Sequence, residues 1–282
     1  MPTVRIVTDS SCDLPQEVAD QHQITIVPLS IRFGDEEFVD RRDLTSEEFW
    51  ARVKASPVLP ETSAPSPGAF EEAFRAAGAE GGAGVVCITI SGALSATFQA
   101  AELAANEVKG DVDVRLVDSR AVTIALGNIC LAAARAAEAG ADLGEVAAVA
   151  AGLVERTRIY AAFETLDNLK KGGRIGGAQA FLGSLLSIKP VIEIRDGRVE
   201  EESKQRTRSR SLRYLAAKVK EAGAVENLAV CHGDAPDVGE LVDLLADSYA
   251  GDILVTKIGA VIGTHAGPGV IGVAFHTPAT AR

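Results

Sequence analysis

Short apolar runs alternate with segments whose apolar residues recur at helical spacing through the first half of the chain. The apolar runs predict buried strands, and the segments between them predict amphipathic helices. The predicted strands cover residues 4–8, 24–29, 85–90 and 112–117. The predicted helices lie near residues 14–21, 70–77, 95–108 and 122–138. Strands and helices in this alternation predict a parallel sheet covered on both faces, a three-layer α/β arrangement.

Local signals mark several ends of these elements. Thr45 with Glu48, and Asp142 with Glu145, have the spacing of a capping box, in which each residue of the pair bonds the backbone of the other at a helix start. The pair Gly34-Asp35, between two short apolar runs, predicts a β-hairpin inserted into the alternating order.

The second half of the chain has a different pattern. Predicted strands cover residues 159–163, 191–194, 199–202, 228–231, 253–258 and 270–275, and predicted helices lie near 181–187, 208–222 and 238–249. The turn Asp196-Gly197 joins two of the strands as a hairpin. We therefore predict a mixed-sheet α/β domain over residues 157–282, after a helix over 143–155, and a parallel-sheet domain over residues 1–156.

Composition and charge narrow the classes of function. The 282 residues carry a net charge of −11, which argues against binding to nucleic acid or to anionic membranes, because both begin with attraction to phosphate. No apolar run reaches the roughly 18 residues that a membrane span needs. The N-terminus runs directly into a strand pattern without a secretory signal. These features predict a cytoplasmic protein without integral membrane association.

The four cysteines, Cys12, Cys87, Cys130 and Cys231, are far apart and form no C-x-x-C pair. Their spacing supports neither a disulfide framework nor a zinc site, and no other metal-ligand spacing occurs. Cys87 and Cys130 lie in apolar runs and are interpreted as core residues. Cys12 lies in a turn before a helix, where the pKa of a thiol can fall, and it is a weak candidate nucleophile. No cofactor is predicted.

Three segments place polar groups where a small anion could bind. Thr62 and Ser63 lie in a proline-rich segment that we predict as a rigid loop feeding a helix, and Ser91 with the Gly92 amide follows a buried strand. His265 lies in what we interpret as a glycine-built loop near the end of the chain. Hydroxyl and amide donors suit a carboxylate, which accepts several hydrogen bonds. Each segment also has a purely structural interpretation, as a cap or a tight turn.

Two basic segments stand out in this acidic chain. Lys170, Lys171 and Arg174 lie in a glycine-rich bend that resembles a phosphate-binding loop but lacks the G-K-[ST] ending, so ATP binding is not predicted. A second basic run extends over residues 204–213. It is either a solvated helix face, or a run in which some cations face the anion site and others bind an acidic partner.

The motifs together resemble those of the DegV family, in family order along nearly the whole chain. They are Thr8-Asp9-Ser10-Ser11-Cys12-Asp13-Leu14, Thr62-Ser63-Ala64-Pro65-Ser66-Pro67-Gly68, Ile90-Ser91-Gly92-Ala93-Leu94-Ser95, Val117-Asp118-Ser119, Leu169-Lys170-Lys171-Gly172-Gly173-Arg174-Ile175, Ile188-Lys189-Pro190 and Gly263-Thr264-His265-Ala266-Gly267-Pro268-Gly269. The resemblance implies a two-domain protein that buries a long-chain fatty acid between its domains. It also implies that a separate fatty acid kinase phosphorylates the carboxylate while this protein holds the acyl-phosphate product.

Carried over position by position, the resemblance implies specific contacts. The fatty acid carboxylate would contact Thr62, Ser63, Ser91, the Gly92 amide and His265. Arg174, Arg206 and Thr264 would contact the phosphate or the kinase. Gly92-Ala93 and Ala96 stand where the family often has Ser-Gly and Gly, which puts the number of donors near Ser91 in question.

Two other functions remain open from the residues alone. A serine-type lipid hydrolase or transferase could use Ser63 or Ser91 with His265, although neither a G-x-S-x-G elbow nor an orienting acid accompanies them. A regulatory protein could use the basic run at 204–213 as its working surface and hold its lipid as a structural component.

Overall fold

Helices and strands alternate through the first half of the chain, as its apolar pattern predicts. The computed structural model describes residues 3–56, 58–79, 82–183 and 188–279. The strands are β1 (Arg5–Asp9), β2 (Ile24–Val27), β3 (Ser30–Phe33), β4 (Glu36–Val39), β5 (Glu61–Ser63), β6 (Val85–Thr89), β7 (Val114–Asp118), β8 (Thr157–Ala162), β9 (Lys189–Arg195), β10 (Arg198–Gln205), β11 (Glu226–His232), β12 (Leu254–Lys257) and β13 (Ile271–His276). The α-helices are α1 (Gln16–Gln21), α2 (Ser46–Ala55), α3 (Pro67–Ala79), α4 (Thr97–Glu107), α5 (Thr123–Glu138), α6 (Leu143–Val154), α7 (Asp167–Lys171), α8 (Arg208–Glu221), α9 (Val238–Ala246) and α10 (Ala260–Ala266).

The first sheet is parallel, with the strand order β2-β1-β6-β7. Phe70 and Phe74 of α3 pack with small residues of α4 on one face, and α5 and α6 pack on the other. Every residue of β6 is buried because helices cover both faces of this central strand. The predicted three-layer parallel-sheet arrangement is confirmed.

The second sheet is mixed, with the strand order β10-β9-β8-β13-β11-β12. Only β11 and β12 pair in parallel, and the other neighbours are antiparallel. Asp196 and Gly197 both have positive φ, at 50° and 75°, and join β9 to β10 as the predicted hairpin. The predicted mixed α/β layer is therefore confirmed, whereas the exact division at residues 156 and 157 stays a prediction.

A small antiparallel sheet changes the interpretation of the segment that carries Thr62. The predicted hairpin at Gly34 is present as β3 and β4, and β5 adds to the other edge of β3. Thr62 lies opposite Ile31 in this pairing. The proline-rich segment therefore begins as a strand rather than as the loop we predicted, because an edge distant in sequence accepts its backbone hydrogen bonds.

The structure also corrects the predicted loop around His265. Residues 260–266 form the short helix α10, and His265 lies in its last turn. Gly267 follows with a φ of 76°, which ends the helix. Gly263 lies inside the helix, where a Cβ atom would be 2.6 Å from the Phe49 ring, so this glycine serves close packing rather than a turn.

The predicted helix over 181–187 is only partly testable. A 3-10 helix covers Gly176–Gly183, which ends inside the predicted range. Residues 184–187 lie outside the described residues.

Side chains from both halves of the chain share one apolar cluster. This cluster joins α5 and α6 to residues of β8, β9 and α10. Trp50 on α2 is 1 % exposed and donates its indole N–H to the carbonyl oxygen of Ile258 at 2.9 Å. None of the helices in the described ranges combines the length and apolar character that crossing a membrane requires.

Candidate functional site

A cavity of about 170 Å³ lies between the parallel-sheet half and the mixed-sheet half of the chain. Both halves line it: Ile90, Leu94 and Val122 come from the first, and residues of β8, β9 and α10 come from the second. Among the lining residues that the structure describes, only Thr62, Ser95, Thr123, Arg174 and His265 are polar or charged, apart from one cysteine. A concave space with an apolar wall and few polar groups is typical of a site for an apolar ligand.

Thr62 and His265 meet at this cavity although they are 203 residues apart. The Thr62 Oγ1 atom lies 2.9 Å from Nε2 of His265. The other ring nitrogen, Nδ1, is buried without a hydrogen-bond partner, and a Cβ atom at Gly172 would collide with it. In the tautomer that carries its proton on Nε2, the imidazole donates to Thr62, and the Thr62 hydroxyl can donate onward to a ligand.

The His265 ring is neutral at physiological pH in this environment. Burial lowers its pKa to about 4, and the positive charge of Arg174 contributes in the same direction. His265 therefore acts as a hydrogen-bonding group rather than as a fixed charge.

Arg174 supplies the positive charge at this end of the cavity. Its Nε donates to the Leu94 carbonyl at 3.1 Å, and its Nη1 donates to the Gly172 carbonyl at 2.8 Å. Among the described residues, no carboxylate forms an ion pair with this guanidinium. Two backbone carbonyls thus hold the side chain in place while its charge remains available to an anionic ligand.

A surface depression of about 340 Å³ adjoins the polar end of the cavity. Thr62, Arg174 and His265 line both spaces, and Asn168 and Lys171 extend the wall of the depression. The three shared residues therefore lie at the boundary between the buried apolar space and the protein surface.

Comparisons with known sequences and solved structures assign this chain to a protein family. The family described as "Uncharacterised protein, DegV family" matches residues 3–277. A DegV domain-containing protein from Streptomyces coelicolor is 40% identical over 276 residues, which span 96% of this chain and 97% of the relative. The chain belongs to the DegV family. This assignment confirms the predicted family and the two-domain α/β fold.

Two solved structures resemble this DegV protein over nearly its full length. One, described as fatty acid binding of a DegV family protein from Thermus thermophilus, has a TM-score of 0.90 and 34% identity and covers 98% of this chain and 100% of that one. The other is a fatty acid (stearic acid)-binding protein from Eubacterium ventriosum, with a TM-score of 0.87 and 28% identity. It covers 97% of this chain and 98% of that one.

The DegV structure separates the predicted carboxylate contacts into two groups. Thr62 and His265 come together at the cavity, whereas Ser63, Ser91 and Gly92 do not line it. Ser63 is exposed because neighbouring residues of strand β5 point to opposite faces, and Thr62 takes the inward face. The Gly92 amide donates to Asp118 Oδ1 at 3.1 Å and is therefore already occupied.

Ser91 has a structural partner across the two halves. Its side chain is fully buried, and its Oγ donates to the Gly197 carbonyl at 2.7 Å, in the turn between β9 and β10. Neither Ser91 nor Ser63 forms a hydrogen bond with His265, whose Nε2 lies 2.9 Å from Thr62 Oγ1 instead. The serine–histidine couple that a hydrolase would need is therefore not assembled in this arrangement.

The remaining predicted contacts also differ in position. Arg174 lies at the boundary, as described above. Thr264 lines the surface depression, but its hydroxyl donates to the Ala260 carbonyl at 2.8 Å within α10, so its own helix uses that donor. Arg206 is exposed and lines neither the cavity nor the depression.

Sequence reasoning missed Ser95 as a site residue. Ser95 lines the cavity four residues after Ser91, and its amide donates to the Ser91 carbonyl at 3.1 Å. Its Oγ lies 2.8 Å from Oγ1 of Thr97 at the start of α4. The sequence shows two serines around a turn, and only the path of that turn decides which one faces the ligand space.

The cysteines are core residues rather than nucleophiles. All four are buried as free thiols. Burial raises the pKa of Cys12 to about 12, which contradicts the lowered thiol pKa that its position before a helix suggested. Cys231 lines the cavity, and burial likewise raises its pKa to about 12, so the thiol contributes an uncharged, weakly polar wall.

Proposed function

We propose that this DegV protein binds a long-chain fatty acid with its tail in the buried cavity and its carboxylate at Thr62, His265 and Arg174. The observation that carries the proposal is that these three residues lie at the boundary between an apolar cavity and the protein surface. The two solved relatives described as fatty-acid binding support it.

The apolar tail and the charged head group of a fatty acid match the apolar cavity and its polar end. A 16-carbon tail gains on the order of 10 kcal/mol on leaving water, at roughly 0.8 kcal/mol for each methylene group. The aliphatic wall provides that environment. The carboxylate needs donors and a compensating charge when it leaves bulk water, and the Thr62 hydroxyl and the Arg174 guanidinium can supply them.

We further propose that the protein is not itself an enzyme and presents the carboxylate to a separate fatty acid kinase. The surface depression gives the kinase access to the head group. Lys171 and Arg174 line it with positive charge, and Glu61, which also lines it, is paired with Arg32. A phosphoryl group added to the carboxylate would then extend into the depression, where these cations favour the additional negative charge. The role requires no cofactor, since the acyl chain is the cargo.

Native mass spectrometry of the purified protein, followed by lipid extraction, tests the binding function. We expect one fatty acid per chain, or uptake of one equivalent of added octadecanoic acid. A protein that is empty and stays empty with this acid in excess contradicts the proposal. Incubation of the loaded protein with a fatty acid kinase and ATP tests the second part, with acyl phosphate as the expected product.

Thr62 and Ser63 provide a matched pair of variants on opposite faces of β5. Thr62→Val keeps the shape of the side chain and removes its hydroxyl, and we expect it to weaken octadecanoic acid binding about tenfold, the effect of losing one hydrogen bond to a charged group. Ser63→Ala should leave the affinity unchanged because Ser63 faces solvent. Isothermal titration calorimetry on both variants distinguishes them, and equal losses would show that the orientation of β5 is not what selects the contact.

A further inference from the structure

The short helix α10 forms one wall of the head-group site. Val261, Ile262, His265 and Ala266 line the cavity, and this spacing places them on one face of the helix. A helix of only 7 residues has little stability of its own, so tertiary contacts must fix its position. The contacts that hold α10 therefore determine where the His265 ring lies.

The parallel-sheet half holds the start of α10 through a single peptide group. The Gly259 N–H donates to Oδ1 of Asp13 at 2.9 Å, and the Ile258 carbonyl accepts from the Trp50 indole N–H at 2.9 Å. These two groups belong to the same peptide bond, in which the N–H and the C=O point in opposite directions. Held on both edges, the peptide plane can neither rotate nor slide without losing a buried hydrogen bond.

Packing allows this contact to form at close range. A Cβ atom at Gly259 would lie 2.8 Å from Asp13 Oδ1, and one at Gly263 would lie 2.6 Å from the Phe49 ring. Both glycines let α10 approach the parallel-sheet half more closely than any residue with a side chain could. His265 lies six residues beyond Gly259, roughly 9 Å along the helix axis at 1.5 Å per residue.

Burial of the Asp13 carboxyl at this position is energetically unfavourable. Asp13 is 4 % exposed, its φ of 50° lies in the left-handed region, and its Oδ2 is buried without a hydrogen-bond partner. Burial raises its pKa to about 7, although the nearby Thr123 hydroxyl and the Gly259 amide lower it. Burying an acid costs free energy, and within the described residues the Asp13 side chain accepts a hydrogen bond of good geometry from the start of α10.

We infer that Asp13 is a positioning residue for the fatty acid head group, which it orients indirectly by fixing the start of α10 and thereby the contact between His265 and Thr62. Asp13 lines neither the cavity nor the surface depression, so its effect on the ligand is indirect. The inference rests on the proposed fatty acid function for its ligand. The placement of His265 can be measured without any ligand.

Asp13→Ala and Asp13→Asn test the inference together. Alanine removes the acceptor, whereas asparagine keeps an oxygen at the same position. We expect Asp13→Ala to weaken binding of octadecanoic acid about tenfold, with little change for octadecan-1-ol, which lacks the charge. In the ligand-free protein it should shift the imidazole NMR signals of His265. Asp13→Asn should restore both the affinity and the signals.

Asp40→Ala is the matched control, since Asp40 is another buried acid of the same half, 3 % exposed, with an unpartnered Oδ2. It should leave the His265 signals and the ratio of acid to alcohol affinity unchanged. If Asp13→Ala does not fold, Trp50→Phe removes the other hydrogen bond to the same peptide and should give the same shift. Unmoved His265 signals, or equal losses in the Asp13 and Asp40 variants, would overturn the inference. Failure of the wild-type protein to bind the acid would instead refute the proposed function.

Discussion

Replacing Arg174 with alanine is expected to weaken octadecanoic acid binding by about 10- to 100-fold, the range for losing a charge-assisted hydrogen bond. The guanidinium lines the polar end of the cavity, backbone carbonyls orient it, and no described carboxylate neutralises it. Binding of octadecan-1-ol should change little, because an uncharged head group gains no ion pair. Isothermal titration calorimetry with the two ligands measures the difference.

Lys170→Ala is the control for this prediction. Lys170 carries the same charge, lies four residues away on α7, is exposed and lines neither the cavity nor the depression. Its removal should leave both affinities unchanged. If the two variants weaken acid binding equally, the net charge of the region attracts the ligand, and Arg174 has no specific contact with the carboxylate.

Lowering the pH from 6.5 to 4 is expected to remove roughly 3 kcal/mol of stability through His276. This ring is 1 % exposed on β13, its Nδ1 lies 3.0 Å from the side-chain amide nitrogen of Asn227, and burial lowers its pKa to about 4. Between these pH values the unfolded chain binds a proton that the folded protein does not. Stability therefore rises with pH through this window and is lost as the pH falls.

His276→Leu isolates that contribution. The pKa of Asp13 is raised to about 7 by burial, so the folded protein binds the extra proton there, and stability from Asp13 changes with pH in the opposite direction. Asp13 is present in both proteins, and its effect cancels when their unfolding free energies are compared at each pH by urea titration. The unfolding free energy of the wild type minus that of His276→Leu should fall by roughly 3 kcal/mol from pH 6.5 to 4. A difference that stays constant would show that the ring is not buried as a neutral group.

Much of the fold could be predicted because its signals are local. Turn and cap residues act on backbone within a few positions, and the predicted capping boxes at Thr45 and Asp142 and the hairpin turns at Gly34 and Asp196 are all present. The apolar run of β6 is buried on both faces. Some predicted helix ends, such as the start of α4, differ from the observed ends by only a few residues, because local preference is weakest at helix ends.

The site was less predictable because its members are brought together by distant contacts. The residues adjacent to Thr62 do not predict strand β5, because the strand that pairs with it is distant in sequence: Thr62 lies opposite Ile31, 31 positions earlier. Pairing with that edge turns Thr62 inward and Ser63 outward. Likewise, Ser91 and Ser95 are the same residue type in neighbouring positions, but the turn between them directs the Ser91 side chain to Gly197 and places Ser95 at the cavity.

The sequence by itself determined the strand–helix alternation, the turns, the caps and the membership of the DegV family, since each depends on residue types at short, fixed spacings or on motifs in a fixed order. Tertiary structure decided that His265 lies on a helix, that it meets Thr62 across 203 residues, and that Arg174 rather than Arg206 borders the cavity. The physical reason is that side-chain direction and burial depend on which surfaces pack together. Close approach at Gly259 and Gly263 sets that packing for α10, and no local pattern encodes it.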